Sequence, residues 1–128
     1  MDKISQKQIE AILSLDGATR YSHFIKQVVG FDEVWGLYNE GWVLVSTDEG
    51  ETLFPVWPAK EYAELCATNI WSEYHPHKLS LEVFMDDLIP ALKEDQISIC
   101  VFLTPQDKGI TPRIEQILND LNQELEWY

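Results

Sequence analysis

The chain has 128 residues and a formal net charge of −13, from 22 acidic residues against 9 Lys and Arg. Hydrophobic residues make up 45% of it and include five Trp, enough apolar surface to offset the entropy of ordering, so a disordered chain is excluded. The charge excludes general nucleic-acid binding, because little is present to neutralise phosphates, and the length predicts one domain spanning residues 1–128.

The first predicted helix opens with a capping box, Ser5 as N-cap and Gln8 three residues on, with Ile4 and Ile9 at the two staple positions. Ile9, Ile12 and Leu13 form its apolar stripe, and Asp16-Gly17 breaks it. Tyr21, Phe24, Ile25, Val28 and Val29 then recur on one face of a second helix, with Gly30 placed as its C-terminal cap. The period next changes to two. Residues 34–38 read as a strand, 39–41 as a hairpin loop with Gly41 available for positive φ, and 42–46 as the return strand. A turn over 47–51 leads to a third strand, 52–54, which Pro55 stops, so the segment reads as an antiparallel meander.

Trp57-Pro58 starts a third helix with Pro58 in its first position, and Tyr62, Ala63, Cys66 and Ala67 can face the core. Residues 73–79 alternate as an edge strand containing Pro76. Ser80 caps a fourth helix carrying Leu81, Phe84, Met85, Leu88, Ile89 and Leu92, with a kink or break expected before Pro90. The run 97–103 is apolar on both faces, as a central, covered strand would be. Thr111-Pro112 opens the last helix, whose stripe is Ile114, Ile117, Leu118, Leu121 and Leu125. The expected architecture is α+β: an N-terminal helical hairpin, then an antiparallel meander joined to a central strand in a mixed sheet, with helices packed on the sheet.

Cys66 and Cys100 read as reduced, buried, small hydrophobes. The N-terminus is polar and lacks an apolar signal region, and no apolar run reaches the length of about 20 residues that a membrane span needs. A cytoplasmic protein without a membrane partner is expected.

The meander and the turn after it carry a family resemblance. The runs Glu33-Val34-Trp35-Gly36-Leu37-Tyr38, Glu40-Gly41-Trp42 and Leu53-Phe54-Pro55-Val56-Trp57-Pro58, with Glu61-Tyr62-Ala63, resemble DUF2750, a bacterial family of unknown function. The flanks are also similar, at 5–13, at Arg20-Tyr21 with Phe24-Ile25-Lys26, and in the closing acidic helix. The likeness covers nearly the whole chain and implies a small, single-domain bacterial cytoplasmic protein. It carries over no catalytic residue. A fainter similarity, at the level of fold alone, is to the enhanced-serine-sensitivity domains, where a strand ending in a Pro-Val-aromatic motif also leads into a helix.

Charge placement is the most informative local feature. No Lys or Arg falls between Lys26 and Lys60, a window that holds Asp32, Glu33, Glu40, Asp48, Glu49 and Glu51 together with Trp35, Tyr38, Trp42, Phe54 and Trp57. Solvated turn acids over core aromatics would explain it. So would an interaction surface, in which aromatics sit inside an acidic rim that steers a basic protein partner. The candidate partner-binding residues are Trp35, Tyr38, Glu40, Trp42, Asp48, Glu49, Glu51 and Trp57. The alternative is a small-molecule or enzymatic pocket lined by Trp35, Trp57, Tyr62 and Trp71.

Other chemistry finds less support. Glu73, His75 and His77 would share one strand face and, with Cys66 or Asp86 and Asp87, form a weak metal candidate without a recognised ligand motif. His23 lies on the polar side of its helix and reads as surface. Ser46, Ser72 and Ser80 stand in no nucleophile-elbow context, and the six Gly fall singly at turns rather than in a phosphate loop. No catalytic residue and no cofactor is indicated. Glu115, Asp120, Glu124 and Glu126 on the last helix face one base, Arg113; acids near a helix C-terminus oppose the macrodipole, so that end should fray or meet a basic surface. The sequence favours a non-enzymatic binding module, in concrete form an immunity or antitoxin-like protein that occludes a basic toxin.

Overall fold

The computed structural model describes residues 4–127. Ser5 caps helix α1 (Gln6–Leu13), its hydroxyl accepting from the Gln8 N–H, and Ile9 is buried as the staple requires. Helix α2 (Gly17–Phe31) is capped by Asp16, which accepts from the Thr19 N–H at 2.8 Å. Gly30 lies inside this helix instead of ending it. Asp32 takes the left-handed conformation at φ 58°, which a short polar side chain tolerates better than most.

Strand β1 (Glu33–Tyr38) pairs antiparallel with β4 (His75–Ser80) along its whole length, from Glu33 opposite Ser80 to Tyr38 opposite His75. β4 is thus the edge strand its Pro76 predicts. A second ladder runs β2-β3-β5: β2 (Val45–Ser46) is antiparallel to β3 (Thr52–Val56), and β3 is parallel to β5 (Ser98–Val101). Paired backbone hydrogen bonds between Trp35 and Trp57 join β1 to the end of β3. The result is a mixed α+β arrangement, helices first.

Several expectations are corrected here. The return strand is reduced to Val45–Ser46, with Trp42 held only by a bridge to Tyr38. Glu40, at φ 57°, supplies the positive φ of the β1–β2 loop, and Gly41 does not. Pro55 does not stop β3. Along that edge β3 pairs at Leu53 and Trp57, and Pro55, which has no N–H to offer, falls in the gap between them. β3, not β5, is the middle strand; the outer edge of β5 meets Ile110 through paired bonds with Val101.

Helix α3 (Lys60–Cys66) begins after Pro58, with Ala59 as N-cap, and buries Tyr62, Ala63 and Cys66. Ser80 caps α4 (Leu81–Val83), which passes through a π-helical turn (Phe84–Leu88) into α5 (Ile89–Glu94). The kink expected at Pro90 takes this form: proline removes an N–H and crowds the preceding turn, and the wider π turn relieves both. Helix α6 (Ile114–Leu125) likewise starts beyond Pro112, with Arg113 as N-cap.

The core explains the arrangement. Every residue from Leu53 to Ala59 is buried, as a strand covered on both faces requires. Phe24, Leu37, Trp57, Tyr62, Phe84, Phe102, Ile117 and Leu121 are among its large contributors, each at most 2% exposed. Tyr21 Oη donates to Asp120 Oδ2 at 2.5 Å and ties α2 to α6. No helix among the described residues is long and apolar enough to cross a membrane.

Candidate functional site

Topology gathers the acidic turns. β1 and β3 run antiparallel, so the loop after Tyr38 and the turn before Thr52 leave the sheet at the same end. β4 starts there too, with His75 opposite Tyr38. Glu40, Asp48, Glu49 and Glu51 are all exposed at this end. Among the described residues none of them lies within ion-pair distance of a Lys or Arg. Elsewhere in the base-free window the isolation is broken: Lys78 on β4 reaches Glu33 at 3.6 Å.

An aromatic cluster involves β1, the loop after it and β4, and Gly36 makes room for it. A Cβ at Gly36 would lie 2.9 Å from Trp42 Cζ3, so the indole occupies the space a side chain would fill. Tyr38, two residues along, projects from the same face of β1, and His77 is the cross-strand neighbour of Gly36. The three rings meet mutually, with centroids 5.2 Å apart for Tyr38–Trp42, 5.2 Å for Tyr38–His77 and 5.5 Å for Trp42–His77. Trp42 continues inward to Phe54 at 5.6 Å. Tyr38 is 39% exposed and Leu44 is 46% exposed, so apolar surface reaches solvent at both residues.

Tyr38, Trp42, Glu40, Asp48, Glu49 and Glu51 thus lie toward one end of the sheet, whereas Trp57 lies in the core. Trp57 is fully buried, and its Nε1–H donates to the Leu103 carbonyl at 2.6 Å; an indole is buried readily when its one donor is satisfied. Trp35 is half-buried against the same core. Of the residues named for the pocket alternative, Trp57 and Tyr62 are core side chains, and Trp35 and Trp71 pack partly buried on that core.

The remaining candidates are also placed. Glu73 precedes β4 and so does not share the strand face of His75 and His77, and His77 stacks on Tyr38 and Trp42. Among the described residues no group of three or more His, Cys, Asp or Glu is arranged to hold a metal ion. His23 is not a surface residue: it is half-buried with its ring 6.4 Å from that of Phe102, and burial holds its pKa below the ordinary value.

Both cysteines are free and buried, Cys66 Sγ directed to the Leu103 carbonyl and Cys100 Sγ to the Lys108 carbonyl. Burial pushes each thiol up to about 11. Because the thiolate is the reactive form, a disulfide reagent at pH 8 should modify both only at the rate of global or local opening, and denaturant should accelerate the reaction about a hundredfold or more. Fast stoichiometric labelling of the native chain would contradict the buried placement.

The residue that sequence reasoning passed over is Arg20. It is 2% exposed, with its guanidinium on the Leu13 and Leu15 carbonyls and on Asp107. A charged side chain is surface by default, and nothing in the local sequence marks this one otherwise.

Among curated proteins none matches the chain. Residues 21–121, from the first turn of α2's apolar stripe to the last core residue of α6, match DUF2750, described as a protein of unknown function, and the chain belongs to that family.

Proposed function

We propose that this protein is a non-enzymatic binding module whose acidic sheet end engages a basic protein partner, as an immunity or antitoxin-like protein occludes a toxin. One observation carries the reading: Glu40, Asp48, Glu49 and Glu51, exposed and without an ion pair among the described residues, leave the sheet at the same end as a ring cluster whose outer member, Tyr38, faces solvent. Carboxylates in solvent contribute little to stability, and acids at one end of the sheet are suited to long-range steering. Exposed Tyr38 and Leu44 offer apolar contact, and a partner Arg can stack on the phenol ring.

The test is capture from the native bacterium with the wild-type chain, followed by association kinetics with the captured partner. Reversing Asp48, Glu49 and Glu51 to Lys should lower the on-rate by about tenfold or more at low salt, with the difference shrinking as salt rises. Tyr38→Ala should act mainly on the off-rate. An unchanged on-rate in the charge-reversed variant would refute the proposal.

A further inference from the structure

A second surface lies at the other end of β1. Asp32, which follows α2, forms a groove of about 330 Å³ with Leu81 and Glu82 of α4, Met85 and Asp86 of the π turn, and Asn122 and Leu125 of α6. Its floor is apolar. Leu81 is buried, Met85 is half-buried, and Leu125 is 37% exposed. Its rim is anionic: Asp32, Glu82 and Asp86 are exposed, no Lys or Arg lines the groove, and among the described residues none of the three is ion-paired. The apolar footprint extends past the rim, since Phe31 beside Asp32 is 53% exposed and Val83 beside Glu82 is 39% exposed.

We propose that this groove docks a basic amphipathic segment of a partner protein, its apolar side chains seated on Leu81, Met85 and Leu125 and its Lys or Arg residues meeting Asp32, Glu82 and Asp86. Charge selects the occupant. A second copy of this chain would bring a further net charge of −13 to an already anionic rim, and a phosphate-bearing ligand would meet the same repulsion. Helical walls around an apolar floor suit a helix laid in a groove, with anchors at helical spacing. The π turn shapes the wall. The Ile89 N–H bonds to the Phe84 carbonyl five residues back, so the turn carrying Met85 and Asp86 holds one residue more than an α turn. This surface stands independently of the acidic sheet end, because Asp32 precedes β1 whereas Glu40 follows it.

The experiment uses the full chain and three labelled synthetic peptides, read by fluorescence anisotropy at physiological ionic strength. The first has Leu at helical spacing on a Lys background, the second keeps the Leu stripe on a Glu background, and the third keeps the Lys residues with Ser replacing Leu. The Leu-Lys peptide should bind in the micromolar range, and the other two about tenfold or more weakly. Glu82→Lys combined with Asp86→Lys should weaken it by about tenfold, and Leu125→Ser by a similar factor. Asp86→Asn, a milder change at an exposed position, keeps the test open if the double variant melts early. Equal binding of the Ser peptide, or no response to the groove variants, would overturn the proposal. So would a dimer in sedimentation velocity that Leu125→Ser dissociates, because it would give the groove to a second copy.

Discussion

Replacing Gly109 by Ala should destabilise the fold by about 3–5 kcal/mol, a large effect for one methyl group. Gly109 holds φ 72°, where an L side chain is strained, and its Cβ would lie 2.6 Å from the Val101 carbonyl oxygen, 2.9 Å from the Leu103 nitrogen and 3.1 Å from the Phe102 carbonyl carbon. All three atoms are backbone, so no side chain can swing aside. The backbone there is itself constrained. Phe102 is 1% exposed yet sits at φ 64°, while the Val101 N–H donates to Ile110 at 2.7 Å and the Ile110 N–H returns the bond at 3.1 Å. Relieving the clash means opening that bridge or dislodging Phe102 from the core. Calorimetry should record a fall in Tm of about 10–20 °C. Gly50→Ala is the control: φ is 87° but nothing lies within 4 Å, so only the conformational cost of about 1 kcal/mol applies. Equal losses at the two sites would show that the left-handed backbone, and not the close approach, sets the effect.

That pair of glycines also shows why part of the fold was legible in the sequence. Gly50 sits in a turn that composition alone marks, and its conformation is local. Gly109 matters because of what packs against it, which no local pattern encodes. The same division runs through the molecule. Helices with long apolar stripes and side-chain caps were legible, as Ser5, Ser80 and the Tyr21 to Val29 face show, because period and capping are local physics. Their exact ends were not, since Asp32 takes the left-handed role expected of Gly30, and Pro58 and Pro112 precede their helices instead of opening them. At the candidate site the turn acids were legible because exposed carboxylates stay where turns put them. The aromatics were not: Trp57 and Tyr38 belong to one meander, and only the packing of helices and neighbouring strands decides that the first is buried and the second faces solvent. The groove at Asp32 was least legible of all, because Leu81, Met85 and Leu125 read as ordinary core-facing stripe residues, and only the packing of α4, the π turn and α6 sets them around one groove.

Arg20→Met should lower stability by about 3 kcal/mol. The methionine keeps much of the buried stem, so the loss falls on the guanidinium. Nη1 donates to the Leu15 carbonyl at 2.5 Å and to the Leu13 carbonyl at 3.2 Å, and Nη2 meets Asp107 Oδ2 at 2.6 Å. One side chain thus closes the turn between α1 and α2 and fastens that turn to the loop after β5. Arg20→Lys should recover only part of the loss, because a single ammonium cannot reproduce the planar fork. Asp107→Asn should cost about 1 kcal/mol, since the carboxylate is 43% exposed and solvent screens the pair. Its pH dependence has a fixed sign. The Gly109 N–H and then the Arg20 guanidinium hold the Asp107 carboxyl below the usual aspartate range. A carboxyl depressed in the folded state contributes above its unfolded pKa of about 3.9 and loses that contribution as pH falls through the folded value. The stability gap between wild type and Asp107→Asn should therefore hold from neutral pH down to about pH 4 and close below it; a gap that widened on acidification would reverse the assignment. Because Asp107 accepts from Gly109 through Oδ1 while pairing with Arg20 through Oδ2, the two largest predictions are coupled. If Gly109→Ala detaches the loop, the Arg20–Asp107 contact is already lost, and the double variant should fall short of the summed single losses by about 1 kcal/mol. Strict additivity would mean that the loop stays docked on Arg20 and that the strain of Gly109→Ala is absorbed at Phe102.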